Sequence, residues 1–242
     1  MPLKKKTKIG TIISMDIPQV AAQLFFIGFD FLFIDLEHGS VSDDTIDTLI
    51  LSKPKECEIF IRISEISEKA IKHAVDIGCD GIIAPRVESM DEVQMLVDYC
   101  YYPPAGKRSV GFTPANRFGL TAKEYGRDFR PIILPQVESV KGVEIAAAIA
   151  ATDKIDGIFV GPYDLSMSLG VPGNFETEVF KNAYNTVKNI CLNQNKIFAI
   201  FAVDAHAALK EVQNGADMVT AGIDANLFLH MYAKMLTDIK PV

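Results

Sequence analysis

With 242 residues, 49% of them apolar, the chain is long enough for one domain with a large core, since chains of this size bury about 70–75% of the surface they expose when unfolded. No run approaches the roughly 18 apolar residues of a membrane span, and a net charge of −7 argues against a general nucleic-acid surface. Cys57, Cys79, Cys100 and Cys191 lie far apart without a C-x-x-C pair, so neither a zinc ribbon nor a disulfide framework is indicated and a reducing cytoplasm is the expected compartment.

Lys4, Lys5, Lys6 and Lys8 read as a solvated tail, without the apolar region and cleavage site of a signal peptide. A short β-rich apolar run then recurs eight times, each followed by a helix-like stretch: 9–15, 31–36, 58–63, 81–85, 132–137, 157–160, 197–202 and 216–221. Runs such as Phe31-Leu32-Phe33-Ile34 and Gly157-Ile158-Phe159-Val160 are apolar at every position, the pattern of parallel strands buried on both faces. Gly28-Phe29-Asp30, Gly78-Cys79-Asp80 and Gly215-Ala216-Asp217 each place a Gly suited to a left-handed helix C-cap just before a strand. Ser89 with Glu92 has the capping-box spacing, and Ser67, Ser139 and Asp204 are the other expected N-caps.

Between the fourth helix and the fifth strand, the stretch 102–130 holds Pro103-Pro104, Gly106, Gly111, Pro114, Gly119 and Gly126, a loop of a length that is usually functional or disordered. No linker or composition shift divides the chain. Eight βα units in this length predict an α/β single domain over 1–242, a (β/α)8 TIM barrel. A doubly wound open sheet is the competing arrangement, disfavoured because no Gly-x-Gly-x-x-Gly follows the first strand.

In such a barrel, residues at the C-terminal strand ends converge on one mouth. Here these are Asp35, Glu37 and His38 after strand two, Arg62 in strand three, Arg86 after strand four, Gln136 and Glu138 at strand five, and Asp164 after strand six. Glu138 and Asp164, on adjacent strands, read either as carboxylates sharing a cation such as Mg²⁺ or Mn²⁺, or as stabilisers of a helix start and a turn. Asp35 and His38 read either as a base held in one tautomer by a carboxylate, or as a polar loop. Arg62, inside an apolar strand, needs an anionic partner, which a salt bridge or a substrate supplies equally well. His73, His206 and His230 fall in predicted helices and read as packing or surface residues. Lys154 and Lys196 fall at the beginnings of strands, the wrong face for a Schiff-base lysine.

The segments Asp35-Leu36-Glu37-His38-Gly39, Tyr102-Pro103-Pro104-Ala105-Gly106-Lys107-Arg108, Gln136-Val137-Glu138-Ser139 and Gly161-Pro162-Tyr163-Asp164-Leu165-Ser166 occur in one order across nearly the whole chain. In them the chain resembles the HpcH/HpaI aldolase family, the metal-dependent class II pyruvate aldolases. The resemblance implies a reversible cleavage of a 4-hydroxy-2-oxo acid to pyruvate and an aldehyde. It implies Glu138 and Asp164 as ligands of a divalent ion (Mg²⁺ or Mn²⁺ first, then Co²⁺ or Zn²⁺), His38 as a base paired with Asp35, and Arg62 as the group holding the enolate oxygen. Gln136 would line the pyruvate site, and the backbone at Gly161 and Pro162 would hold the pyruvate carboxylate. It further implies a homo-oligomer, a hexamer or trimer, with the C-terminal helix on a neighbouring barrel, where Leu227, Phe228, Met231 and Met235 supply an apolar face.

The chain departs from known members at Leu36, Gly39 and Ser40, and at Arg86, where they carry an uncharged residue. The loop after strand two and the stretch 102–130 are the expected walls of the aldehyde site. Oxaloacetate decarboxylation and CoA-ester cleavage pass through related enolates and are the alternative activities, although CoA-ester lyases lack the Asp-x-x-His pair of Asp35 and His38. A catalytically silent, keto-acid-binding oligomer is the alternative of a different class.

Overall fold

Eight parallel strands follow one another around a closed barrel: β1 (Lys8–Ile13), β2 (Phe31–Asp35), β3 (Glu58–Arg62), β4 (Gly81–Ala84), β5 (Ile132–Val137), β6 (Gly157–Val160), β7 (Ile197–Ala202) and β8 (Met218–Ile223). The computed structural model describes residues 6–121, 123 and 129–240; Lys4, Lys5 and Gly126, named above, lie outside the described residues. The helices are α1 (Pro18–Gln23), α2 (Asp43–Ser52), α3 (Glu68–Ile77), α4 (Met90–Cys100), α5 (Val140–Ala151), α6 (Pro162–Ser168), α7 (Glu178–Asn193), α8 (Ala205–Gln213) and α9 (Asp224–Ile239). The single-domain (β/α)8 barrel expected from the recurring runs is therefore the observed fold, with β8 pairing back onto β1.

The barrel interior is filled by Ile12, Phe31, Phe33, Phe60, Ile83, Leu134, Phe159, Ala199 and Met218, while Ile13, Leu32, Ile34, Ile59, Ile61 and their equivalents pack outward against the helices. Both faces are buried, which is why the strands lack a polar alternation. Large rings fill the inside because small residues face them. A Cβ on Gly10 would lie 2.4 Å from the Phe31 ring, and one on Gly81 2.4 Å from the Phe60 ring.

At the N-terminal end of the barrel one device recurs four times. Asp30, Asp80, Asp156 and Asp217 each precede an even-numbered strand. Their carboxylates accept the N–H of Ile9 (2.8 Å), Ile59 (2.7 Å), Ile133 (2.9 Å) and Phe198 (3.0 Å) in the odd-numbered strand before. The same four aspartates donate their own N–H back to the carbonyls of those residues. Each thereby satisfies two main-chain groups that a strand end leaves open. Gly28, Gly78 and Gly215 turn the chain into three of these clamps with φ of 93°, 101° and 87°, the left-handed conformation expected of them.

The clamp also corrects the start of the last strand, expected at 216, which begins at Met218 because Asp217 belongs to the turn. The first strand ends at Ile13 rather than at 15, because Asp224 accepts the N–H groups of Ser14 (3.0 Å) and Met15 (3.1 Å) and draws them out of the ladder. The predicted caps form: Ser67, Ser139 and Asp204 accept from the third residue of their helices, and Ser89 and Glu92 make a reciprocal capping box.

The stretch 102–130 connects the end of α4 to the start of β5, and its described residues lie at the N-terminal end of the barrel. Arg108, fully buried, donates to Asp76 of α3 at 2.6 Å and stacks over the Tyr102 and Phe129 rings. Ala115 packs against Gly78, where a Cβ would come within 3.2 Å of its Cα. The expectation that this stretch walls the chain's own aldehyde site is thereby corrected, since an α-to-β connection returns to the end opposite the mouth. The C-terminal helix α9 has no buried residue; Leu227, Phe228, Met231 and Met235 are 44–68% exposed.

Candidate active site

The sequence-predicted residues meet at the C-terminal end of the barrel, each placed there by a strand. Register pairs Asp35, the last residue of β2, with Arg62, the last of β3. Both side chains are turned to the same space. Arg62 donates from Nε to Asp35 Oδ1 (2.9 Å) and from Nη2 to Oδ2 (2.8 Å), a bidentate pair. Asp35 Oδ1 also accepts the N–H of Glu37 (3.0 Å) and of His38 (3.3 Å). Burial opposes ionisation of Asp35, but these donors and the Arg62 charge outweigh it and hold the carboxyl below its ordinary range. For Arg62, burial is likewise outweighed by Asp35, Glu37 and Glu138, which keep the guanidinium charged.

Asp35 thus meets His38 through the backbone only. The imidazole is 70% exposed, and the carboxylate beside it is that of Glu37, whose Oε2 is 3.7 Å from His38 Nε2 and 3.3 Å from Arg62 Nη1. Glu37 was among the expected mouth residues but without a role, and the structure makes it the bridge between Arg62 and His38. Three residues along an extended turn do not bring side chains together as they do on a helix.

Glu138 follows β5 and is 7% exposed. Its Oε1 accepts the N–H of Arg86 at 2.9 Å, and its Oε2 accepts from Gln136 Nε2. Burial first, and then the negative charge of Asp164, push its carboxyl up to about 7, with the Gln136 hydrogen bond pulling the other way. Asp164 lies in the first turn of α6, a short helix that starts one residue after β6 at Gly161 and Pro162. Gly161 lets the main chain approach Glu138 and Gln136 closely, since a Cβ there would come within 2.5 Å of Glu138 Oε2 and 2.8 Å of Gln136 Nε2. Gln136 Oε1 is buried with no hydrogen-bond partner among the described residues.

Two carboxylates without a cation between them and an unpartnered amide oxygen beside them suit a hard divalent ion that keeps water and substrate oxygens in its remaining positions. No group of three or more His, Cys, Asp or Glu side chains is assembled among the described residues, so the chain's own donors here are these two carboxylates. The remaining expectations concern other places. His73 pairs with Asp43 on the surface, His206 and His230 are exposed, and Lys196 donates to carbonyls at the opposite end of the barrel.

The model of the family HpcH/HpaI aldolase/citrate lyase matches residues 8–231. The chain is 33% identical to the 5-keto-4-deoxy-D-glucarate aldolase of Escherichia coli K12 over 239 residues, 98% of this chain and 93% of that one. Among solved structures it is similar to an HpcH/HpaI aldolase/citrate lyase family protein from Burkholderia cenocepacia J2315 (TM-score 0.91, 26% identity, 98% and 95% of the two chains). It is similar also to an HpcH/HpaI aldolase from Desulfitobacterium hafniense DCB-2 (TM-score 0.86, 27% identity, 98% and 94%).

Proposed function

Because the chain belongs to the HpcH/HpaI aldolase/citrate lyase family, we propose that it is a carbon–carbon lyase that reversibly cleaves a 4-hydroxy-2-oxo acid into pyruvate and an aldehyde. The observation that carries this reading is the pair Glu138 and Asp164 against the close-approaching main chain at Gly161, with Arg62 within electrostatic reach of Glu138. Glu138 and Asp164 hold the divalent ion, Mg²⁺ or Mn²⁺ in the first instance. When bound, that ion supplies Lewis acidity to the 2-oxo carbonyl.

The chain's own groups do the rest. Gln136 and the helix start that follows Gly161 and Pro162 orient the pyruvyl carboxylate; Gly161 gives its N–H to Val137 and Pro162 has none, so the donors are the N–H groups of Tyr163 and Asp164, which have no partner within the helix. His38, exposed at the rim, takes the C4 hydroxyl proton through water as the C3–C4 bond breaks. The bonding pair moves into the C2–C3 bond, and negative charge develops on the C2 oxygen, where Arg62 opposes it. A proton returned to C3 completes pyruvate. Asp35 and Glu37 keep Arg62 in place, and Glu37 stands next to the His38 ring.

The exposed apolar face of α9 favours a homo-oligomer, a hexamer or trimer in which that helix lies on a neighbouring barrel, and a monomeric mass by light scattering would remove it. No helix among the described residues is long and apolar enough to cross a membrane, and the four buried free thiols suit a reducing cytoplasm. The test of the chemistry needs no aldehyde. The protein should exchange the methyl protons of pyruvate for deuterium when a divalent ion is present, and His38→Ala should slow the full aldol reaction on the order of 10² to 10⁴. No exchange above the metal alone would count against the proposal.

A further inference from the structure

We propose that Asp16, in the turn after β1, is a positioning residue for His38, an assignment that rests on the aldolase reading above. His38 lies in the segment 36–42 between β2 and α2. Its exposed ring stands 3.7 Å from Glu37 Oε2, beyond hydrogen-bond reach, so its place is set by its backbone. On the strand side that backbone is held by Asp35 Oδ1, which accepts the N–H groups of Glu37 and His38. On the far side comes Gly39, where the chain folds so close that a Cβ would run into the Asp35 carbonyl oxygen. Glycine loses more freedom on ordering than any other residue, so contacts beyond it must offset that cost. The end of β1 supplies them. Ser14 O accepts the Ser40 N–H at 2.9 Å, and Asp16 Oδ1 accepts the Ser42 N–H (3.0 Å), the Ser42 hydroxyl (2.8 Å) and the Thr45 hydroxyl (2.6 Å).

These contacts do more than start a helix. Ser42 already caps α2 with its own side chain, accepting the Thr45 N–H, and Val41 beside it is buried in the core, so α2 begins where it does without Asp16. What Asp16 adds is a tie between two loops of the mouth. The Thr45 hydroxyl first, and then Ser42, hold its carboxyl below the ordinary range, so it is an ionised acceptor near neutral pH. The anchor is itself fixed, because Asp224 at the start of α9 accepts the N–H (3.0 Å) and hydroxyl (2.6 Å) of Ser14 and the N–H of Met15 (3.1 Å). A line of hydrogen bonds thus runs from α9 through the end of β1 to the chain just beyond His38. In the closed barrel, β1 and β2 lie across the mouth from β5 and β6, which carry Glu138 and lead to Asp164. Loosening the tie should therefore disturb the step that His38 performs and leave the metal site as it is.

The test is a double-mutant cycle on retro-aldol cleavage with Mg²⁺ present, using the best-cleaved member of a panel of racemic 4-hydroxy-2-oxo acids that differ in the aldehyde half. Asp16→Ala should lower kcat about 10-fold, within what misplacement of a reacting group costs, while KM and the affinity for Mn²⁺ stay within about twofold of parental. Asp16→Asn keeps an acceptor oxygen for Ser42 and Thr45 and should retain most of the rate. In a His38→Ala background, Asp16→Ala should change kcat by less than about twofold, because groups that act as a unit lose their effects together. A loss that is only structural recurs at full size without His38. Equal kcat losses in the two backgrounds, or parental kcat in Asp16→Ala, overturn the assignment. Failure of the underlying aldolase reading looks different and takes the assignment with it: the parental protein then cleaves no member of the panel and exchanges no pyruvate protons, or His38→Ala keeps the parental rate.

Discussion

At the N-terminal end of the barrel, Asp30, Asp80, Asp156 and Asp217 each lie within 3.0 Å of a strand N–H. At the C-terminal end, Glu138 is buried opposite Asp164, and the charge of one raises the proton affinity of the other. Acidic side chains on one ring of strands thus hold backbone at one end and leave charge unbalanced at the other. What separates the two is the donors each strand end offers. Before an even strand the preceding odd strand presents an open N–H, so an aspartate there is satisfied by the fold itself. After the strands Arg62 balances Asp35 and Glu37, whereas Glu138 faces the charge of Asp164 with neutral donors, Gln136 and the Arg86 N–H, as its hydrogen-bond partners.

Truncation at the mouth gives the largest effect and leaves the fold intact. Glu138→Ala and Asp164→Ala should each lower kcat on the order of 10³ or more and abolish metal binding, with no loss of melting temperature in the metal-free protein. Calorimetric titration with Mn²⁺ checks the assignment, and parental affinity in both variants would remove it.

A second experiment measures the cost of the unbalanced charge. Glu138 titrates near 7 in the folded protein, above its ordinary 4.5, so the folded state keeps a proton that the unfolded chain has lost. Its contribution is fully present below about 4.5 and is lost as pH rises through about 7, a change on the order of 3 kcal/mol in metal-free protein. Denaturation by urea with chelator at pH 5 and pH 8 should show this decline, and Glu138→Gln should flatten it. Equal slopes for the two proteins would place the strain elsewhere.

The smallest effect belongs to the other end. Asp80→Ala frees the Ile59 N–H and removes the partner of Lys53, and should cost about 1–3 kcal/mol of stability. Turnover per folded molecule should stay within about twofold, because Asp80 lies across the barrel from the mouth. A kcat loss resembling that of Glu138→Ala would erase the distinction between the two ends.

Much of this was legible in the sequence because strands buried on both faces are written as uninterrupted apolar runs, and because Gly-x-Asp marks three of the four clamps. Asp156 escaped that reading since Ile155, not a glycine turn, leads into it. The mouth residues were legible from their position after each run, which is a matter of connectivity. What sequence adjacency misjudged was side-chain direction. Asp35 and His38 are neighbours in the chain, yet the parallel register turns Asp35 to Arg62 and leaves the imidazole beside Glu37. The length of the stretch 102–130 suggests a substrate wall, while the connection from helix to strand puts its described residues at the far end.

The four clamps also bear on the order in which the barrel assembles. Their partners are 21, 21, 23 and 19 residues apart, whereas the contact of Thr7 with Ala216 that helps close the barrel spans 209. A tenfold longer loop costs about 2 kcal/mol more in closure entropy. Each odd strand and its successor can therefore fix their register as a local pair while the ends of the chain are still apart, leaving the seam between β8 and β1 to form last. Pulsed hydrogen exchange during refolding should find the amides of Ile9, Ile59, Ile133 and Phe198 protected before that of Lys8, which donates across the seam to Asp217.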